Sequence, residues 1–384
     1  MEISGINKSG RQHPQIIRST HGENKKNSVP VDVRINRALL LVLLVLAVLT
    51  TVMLVSQIAY VRNGSINIGS SGYTVLKTES DNRADVADAL NAVTVKSSKI
   101  DIEVPDYCPV SYKAYSPIAM VYDKTTGEVL YSKNETEKCY PASTAKLMTA
   151  AVALDLAPDD FLFVSGDELD LVMDNAPKAG INKCFALNRQ ELTDGIVLAG
   201  GSDVSYTAAA AIGKLMCESD DVSAAEAVSK FMDAMNTTAR NIGAENTHFS
   251  NPDGYYDDDN YTTAMDMMKI AIYASEHKEI AEAASRESSS GKLASGQTYY
   301  WPNTNDMVVP ENSRYYEFAT GLKTGMTSNT GYCMAASAEQ YGHELICIVM
   351  NSETDEYRYL DVKNLFDISF SYIEEFSSAE TGET

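Results

Sequence analysis

Tyr140-Pro141-Ala142-Ser143-Thr144-Ala145-Lys146-Leu147-Met148-Thr149-Ala150 is the stretch from which the fold is read. Pro141 suits the first turn of a helix, where a missing N–H costs nothing. The Ala, Leu and Met beyond it carry high helix propensity. The stretch predicts the start of a buried helix, with Ser143 and Lys146 one turn apart on one face. A hydroxyl and an amine held that close suit a nucleophile and its base. The amine takes the hydroxyl proton only when neutral, so it needs burial or a nearby cation to lower its pKa. The spacing alone is unspecific: Ser275/Lys278 and Ser289/Lys292 repeat it, and the second pair falls in a Ser/Gly run that reads as solvated loop. For Ser143 the bland alternative is a helix cap beside a surface lysine, and the surrounding sequence decides between the two.

Toward the N-terminus the charge is uneven. The 384 residues carry a net charge of −22, but residues 1–37 hold seven Lys or Arg against three acids, which leaves about −26 on the remainder. So acidic a body argues against nucleic acid as a partner, since that binding needs basic clusters. Residues 38–59 are uncharged and mostly Leu and Val. About 20 such residues span a bilayer core at ~1.5 Å each. The run is longer than a signal-peptide core, and no small-x-small cleavage site follows it. Arg34 and Arg37 flank its start, Lys25 and Lys26 lie further back, and only Arg62 lies just after it. The positive-inside rule then predicts a single-pass cell-membrane protein with a cytoplasmic tail over 1–37, a transmembrane anchor over 38–59 and everything later outside. Residues 60–112, with Asn63-Gly64-Ser65 and Gly69-Ser70-Ser71-Gly72, read as an extracellular linker holding a short helix over Asp81–Ala92.

Toward the C-terminus the chain reads as one compact domain over 113–376. Ile118–Asp123 and Glu128–Ser132 flank Lys124-Thr125-Thr126-Gly127 and predict a hairpin that leads into the Ser143 helix. Residues 150–245 are mostly helical by pattern, and 261–285 give one further amphipathic helix. Residues 287–318 read as loop with short strands. A strand pair over Tyr332–Ala338 and Leu345–Met350 and a last helix over Asp355–Glu375 close the chain, and 377–384 read as a disordered polar tail. Strands at both ends around a helical middle mean α+β: an antiparallel sheet flanked by helices with an inserted helical region. Six cysteines, all beyond the anchor, permit disulfides without fixing a pairing, and Cys333 and Cys347 on neighbouring strands suit buried small apolar positions. Neither Cys nor His shows metal-ligand spacing, so no metal is expected.

A second chemical element is Lys323-Thr324-Gly325, which follows an apolar approach and precedes a hairpin. A cation and a hydroxyl on an edge strand, with Gly allowing close backbone approach, suit recognition of a substrate carboxylate. Ser-x-x-Lys with Lys-Thr-Gly is the signature of penicillin-binding proteins and serine β-lactamases. The wider match adds Asn246–Gly254, Tyr261–Asp266, Asn303-Thr304-Asn305 and Gly321–Tyr332. Together these resemble low-molecular-mass penicillin-binding proteins of the D-alanyl-D-alanine carboxypeptidase type, over about residues 113–376.

The resemblance implies the DD-peptidase/β-lactamase-like fold and removal of terminal D-Ala from peptidoglycan stem peptides through an acyl-enzyme. It implies no cofactor, and β-lactams as acylating inhibitors. By the family pattern Ser143 is the nucleophile and Lys146 the base, and the backbone N–H groups of Ser143 and Met326 form the oxyanion hole. Lys323, Thr324 and Gly325 belong to the strand that receives the terminal carboxylate, and Arg358 helps to hold it. The bland alternative for Arg358 is a helix-surface pair with Asp355 or Glu353. Some relatives carry a C-terminal amphipathic membrane helix, and the N-terminal anchor is expected to replace it here.

One departure stands out. The family carries Ser-x-Asn in the helical region, where this chain has Ala199-Gly200-Gly201-Ser202-Asp203. Ungapped alignment on Asp203 puts Gly200 at the place of the Ser and Ser202 at that of the Asn. That family Ser passes protons between the base and the leaving amine. Without it, water, Ser202 from a shifted loop, or Lys146 alone must do so. An impaired peptidoglycan- or penicillin-binding domain is therefore the alternative reading. The segments around Asn251-Pro252 and Asn303-Thr304-Asn305 argue against a β-lactamase.

Overall fold

The computed structural model describes residues 66–68, 74–76, 98–217 and 221–381. The cytoplasmic tail and transmembrane anchor expected over 1–59, and the short helix expected over Asp81–Ala92, lie outside them. Among the described residues no helix is long and apolar enough to cross a membrane. Inside the expected linker, β1 (Ile66–Ile68) and β2 (Thr74–Leu76) pair antiparallel, a hairpin that the Gly/Ser composition hides.

Part of the stretch expected as linker belongs to the main body: Ile100 N donates to Ile242 O and Val110 N to Leu130 O, each at 3.0 Å, and Val110 is buried. The hairpin of β3 (Ile118–Asp123) and β4 (Glu128–Lys133) follows, as the turn residues between them require. A 3-10 turn, Ala142–Ala145, runs into α1 (Lys146–Leu156). The helical middle holds β5 (Phe163–Val164), β6 (Ala186–Leu187), α2 (Arg189–Thr193), α3 (Ser202–Leu215), α4 (Ala224–Asn241), α5 (Ala264–Ser275) and α6 (Lys278–Ser285). A hairpin of β7 (Ser288–Lys292) and β8 (Thr298–Pro302) follows. β9 (Ala319–Thr327), β10 (Gly331–Gln340), β11 (His343–Ser352) and α7 (Asp355–Thr381) complete the body.

The five long strands form one antiparallel sheet in the order β4-β3-β11-β10-β9, so the two ends of the domain meet in its centre and β9 is an edge. Alternation along the strands builds two cores. Ile118 and Met120 on β3, with Ile346, Ile348 and Met350 on β11, face the helical middle and pack with α1 and α5. Ala119 and Val121, with Leu345, Cys347 and Val349, face the other way onto α7. That helix answers with Tyr359, Val362, Phe366, Phe370 and Ile373 at helical spacing. Both faces are covered, which explains the unbroken apolar runs in β3 and β11.

Three expectations change. The helix expected over 261–285 is two, α5 and α6. The break falls at Glu276–His277, where the His277 ring meets Asp155 at 3.0 Å and the Tyr273 carbonyl at 3.1 Å. Ser289 does not lie in solvated loop: it is buried in β7 and donates to Asp194 at 2.6 Å. The last helix runs on to Thr381, into the stretch read as disordered tail. All six cysteines are free thiols, and Cys333 and Cys347 are buried.

Candidate active site

Pro141 opens the turn with φ −70°, and Ala142 follows at φ +49°, a left-handed conformation costly for a residue with a Cβ. A glycine holds it in place. A Cβ on Gly254 would lie 1.8 Å from the Ala142 carbonyl oxygen, so only Gly lets the Asn251–Gly254 loop press against the turn. The same loop receives the far side of α1. Pro252 O accepts from Thr149 Oγ1, and Asp253 O accepts from Lys146 Nζ, each at 2.6 Å.

The turn thus aims two groups at one another. Lys146 Nζ lies 2.9 Å from Ser143 Oγ. Residues 141–150 are buried except Ser143, so the hydroxyl can be reached from outside and the amine cannot. Burial pushes the Lys146 pKa down to about 8, although Asp253 and Asp203 pull the other way. A buried lysine with a partly neutral amine against a reachable hydroxyl is the arrangement that nucleophilic catalysis needs.

The edge strand β9 supplies the opposite wall. A Cβ on Gly325 would stand 2.7 Å from Ser143 N and 3.0 Å from Thr144 N, so the strand touches the Ser143 turn backbone to backbone. Lys323 on β9 is buried, and its Nζ donates to Thr304 Oγ1 at 2.8 Å. Burial drives its pKa well below the ordinary lysine value, and the charges of Lys146 and Arg358 push in the same direction. Thr324 Oγ1 donates to Thr304 O at 3.2 Å. Met326, next along the strand, is half exposed at the rim.

The third wall comes from the helical middle. Residues Asp194–Leu198 form a π-helical turn, a feature that often marks functional sites. It delivers Gly200 at φ +71°, where a Cβ would lie 3.2 Å from Lys323 Nζ. The Asp203 carboxylate accepts from the backbone N–H groups of Ala179 at 2.8 Å, Gly180 at 2.8 Å and Ile181 at 3.1 Å, which pins the loop to the 177–181 segment.

A family model described as D-alanyl-D-alanine carboxypeptidase matches residues 108–354. The chain belongs to the D-alanyl-D-alanine carboxypeptidase family. A Bacillus subtilis D-alanyl-D-alanine carboxypeptidase, DacF, is 28% identical over 261 residues, covering 67% of this chain and 62% of the relative. A Streptomyces K15 D-alanyl-D-alanine carboxypeptidase is 30% identical over 257 residues, covering 64% of this chain and 84% of the relative. Among solved structures, the Streptomyces K15 DD-transpeptidase superposes with a TM-score of 0.61 at 26% identity, over 68% of this chain and 99% of that one. Penicillin-binding protein D2 from Listeria monocytogenes, in its ampicillin-bound form, gives a TM-score of 0.54 at 25% identity, over 68% of this chain and 99% of that one.

Against the D-alanyl-D-alanine carboxypeptidase pattern, Ser143, Lys146, Lys323, Thr324 and Gly325 converge in space. Ser202 stands apart: its hydroxyl is buried and has no hydrogen-bond partner, so it reaches neither lysine. Arg358 sits behind β9 and is 6% exposed. Its Nη1 donates to the carbonyls of Gly325 and Cys333 at 3.1 Å, and its Nη2 pairs with Asp355. Its Nε is buried without a partner. The guanidinium therefore supports the strand and lends charge to the site, with no free fork turned outward. Sequence reasoning missed Asp253, Gly254 and Thr304 as individual residues. Their only signal was membership of the segments Asn246–Gly254 and Asn303–Asn305.

Proposed function

We propose that the protein is a membrane-anchored serine D-alanyl-D-alanine carboxypeptidase that removes terminal D-Ala from peptidoglycan stem peptides outside the cell. The observation that carries this reading is the reachable Ser143 hydroxyl 2.9 Å from the buried amine of Lys146, with Lys323 on the strand beside them. Neutral Lys146 takes the proton as Ser143 Oγ attacks the penultimate D-Ala carbonyl carbon. The N–H groups of Ser143 and Met326 receive the oxyanion. The C–N bond breaks, the proton passes from Lys146 to the leaving D-Ala amine, and water then hydrolyses the acyl-enzyme with Lys146 again as base. Lys323 receives the terminal carboxylate, backed by the charge of Arg358, and Thr324 joins it when its hydroxyl turns from the Thr304 carbonyl to the substrate. β-Lactams, which carry a carboxylate and a reactive amide, acylate Ser143 by the same route, a reading in keeping with the ampicillin-bound relative.

A second reading, a domain that binds but does not turn over, rests on Gly200. General acid–base help is worth roughly 10²–10⁴-fold, so the absent hydroxyl bears on rate rather than on binding. The full-length protein, given a peptide ending in D-Ala-D-Ala, separates the two. Release of free D-Ala beyond one equivalent means a carboxypeptidase. Labelling by penicillin without such release means a binder.

A further inference from the structure

The hydroxyl that the family pattern places at position 200 is missing, yet Lys323 keeps a hydroxyl partner. A side chain built on Gly200 would begin with its Cβ 3.2 Å from Lys323 Nζ and 3.5 Å from Thr304 Cγ2. Position 200 and Thr304 therefore border the same ammonium group, and in this chain Thr304 has it, at 2.8 Å. The proton of the Thr304 hydroxyl has an acceptor in the Leu198 carbonyl at 3.2 Å, which leaves an oxygen lone pair for Lys323.

The loop around Thr304 is built to hold it there. Asn303 and Asn305 are buried on either side, while Thr304 itself is exposed. Asn303 Nδ2 donates to the carbonyls of Ala284 at 3.1 Å and Arg286 at 2.7 Å, and its Oδ1 accepts from Asn305 N at 2.8 Å. Asn305 Oδ1 in turn accepts from Met307 N at 3.1 Å. Thr304 N donates to Leu198 O at 3.0 Å, and Thr304 O accepts from Thr324. One residue thus ties the turn before Gly200 to the strand that carries Lys323, through its backbone and its side chain alike.

We propose that Thr304 is the positioning residue for Lys323, its hydroxyl holding the ammonium toward the substrate carboxylate in place of a side chain at 200. The proposal rests on the carboxylate-binding role given to Lys323 above. Because the Thr304 proton is committed to Leu198, Thr304 does not relay protons to the leaving amine, and that step stays with Lys146.

The test uses the full-length protein carrying Ser143→Ala, so that binding is read without turnover. Kd is measured for a peptide ending in D-Ala-D-Ala with a free carboxylate and for the same peptide amidated, with Tm alongside. Thr304→Val keeps the shape and the backbone bonds and exchanges the hydroxyl for a methyl group. It is expected to weaken the free-carboxylate peptide about tenfold, the order of one hydrogen bond to a charged group, and to leave the amidated peptide unchanged. Thr304→Ser is expected to restore affinity. Should Thr304→Val lower Tm, Thr304→Ala replaces it. Unchanged affinity in the hydroxyl-free variants, equal weakening of both peptides, or failure of Thr304→Ser to restore binding overturns the proposal. Wild-type protein that binds the peptide but releases no D-Ala defeats the catalytic reading alone. A Ser143→Ala protein that binds neither peptide defeats both.

Discussion

Lys146 serves as a base only when uncharged, and burial brings its pKa down to about 8. The sign follows directly: acylation rises with pH, because losing a proton creates the base. For a pKa of about 8 the uncharged fraction is roughly 1% at about pH 6, roughly 9% at about pH 7 and roughly 90% at about pH 9. The acylation rate of the full-length protein at saturating labelled penicillin should therefore climb roughly ninetyfold across that range, with a plateau above it. Saturation matters because Lys323 also has a depressed pKa, so its charge fades as pH rises and weakens carboxylate binding. A rapid-quench assay reads acylation apart from binding and from hydrolysis. Lys146→Arg keeps a permanent charge; it should slow acylation by ~10²–10⁴ and abolish the pH dependence. A wild-type rate that is flat or falls between about pH 6 and about pH 9 refutes the assignment of Lys146 as base.

Other outcomes follow from the same contacts. Gly325→Ala should force β9 away from the Ser143 backbone, where its new Cβ would stand 2.7 Å from the amide nitrogen. Acylation should fall by more than about tenfold, and stability by about 1–3 kcal/mol, as for other overpacked sites, measured by labelling rate and Tm. Arg358→Gln should lower Tm by several degrees, since the bonds to Gly325, Cys333 and Asp355 are lost together. It should also raise KM for a free-carboxylate peptide more than for its amide; equal effects would confine Arg358 to supporting the strand. Protease added to cells stripped of their wall should remove the domain that follows residue 60, and a protected domain would reverse the proposed orientation.

Much of the fold was legible because its signals are local. Turn residues mark the β3–β4 hairpin, and alternation marks strands buried on both faces. Tertiary contacts account for the rest. Nothing between 261 and 285 looks like a helix break, since no Pro or Gly interrupts the pattern; Asp155, far away in sequence, captures His277 at the point where the helix divides. Ser289 reads as solvated because its neighbours are polar, yet a buried carboxylate from the π-helical turn claims its hydroxyl. The site shows the same split. The Ser143–Lys146 pair is a matter of helical spacing and could be read directly. The Asp253 carbonyl, the Gly254 contact and the Thr304 hydroxyl arrive from other segments, and composition carries no trace of which backbone oxygen will meet a lysine. For Arg358 the pair with Asp355 could be read from the spacing, but a sequence cannot display the two strand carbonyls that also occupy the guanidinium.

The proposed nucleophile is Ser143, alone among the serines with a lysine three residues on. Labelling the full-length protein with a fluorescent penicillin, in wild type and in Ser143→Ala, Ser275→Ala and Ser289→Ala, tests it most directly. Ser143→Ala is expected to abolish the covalent label while the other two label as wild type, and the acylated peptide from wild type is expected to contain Ser143. A label that persists in Ser143→Ala, or that maps to another residue, would contradict it.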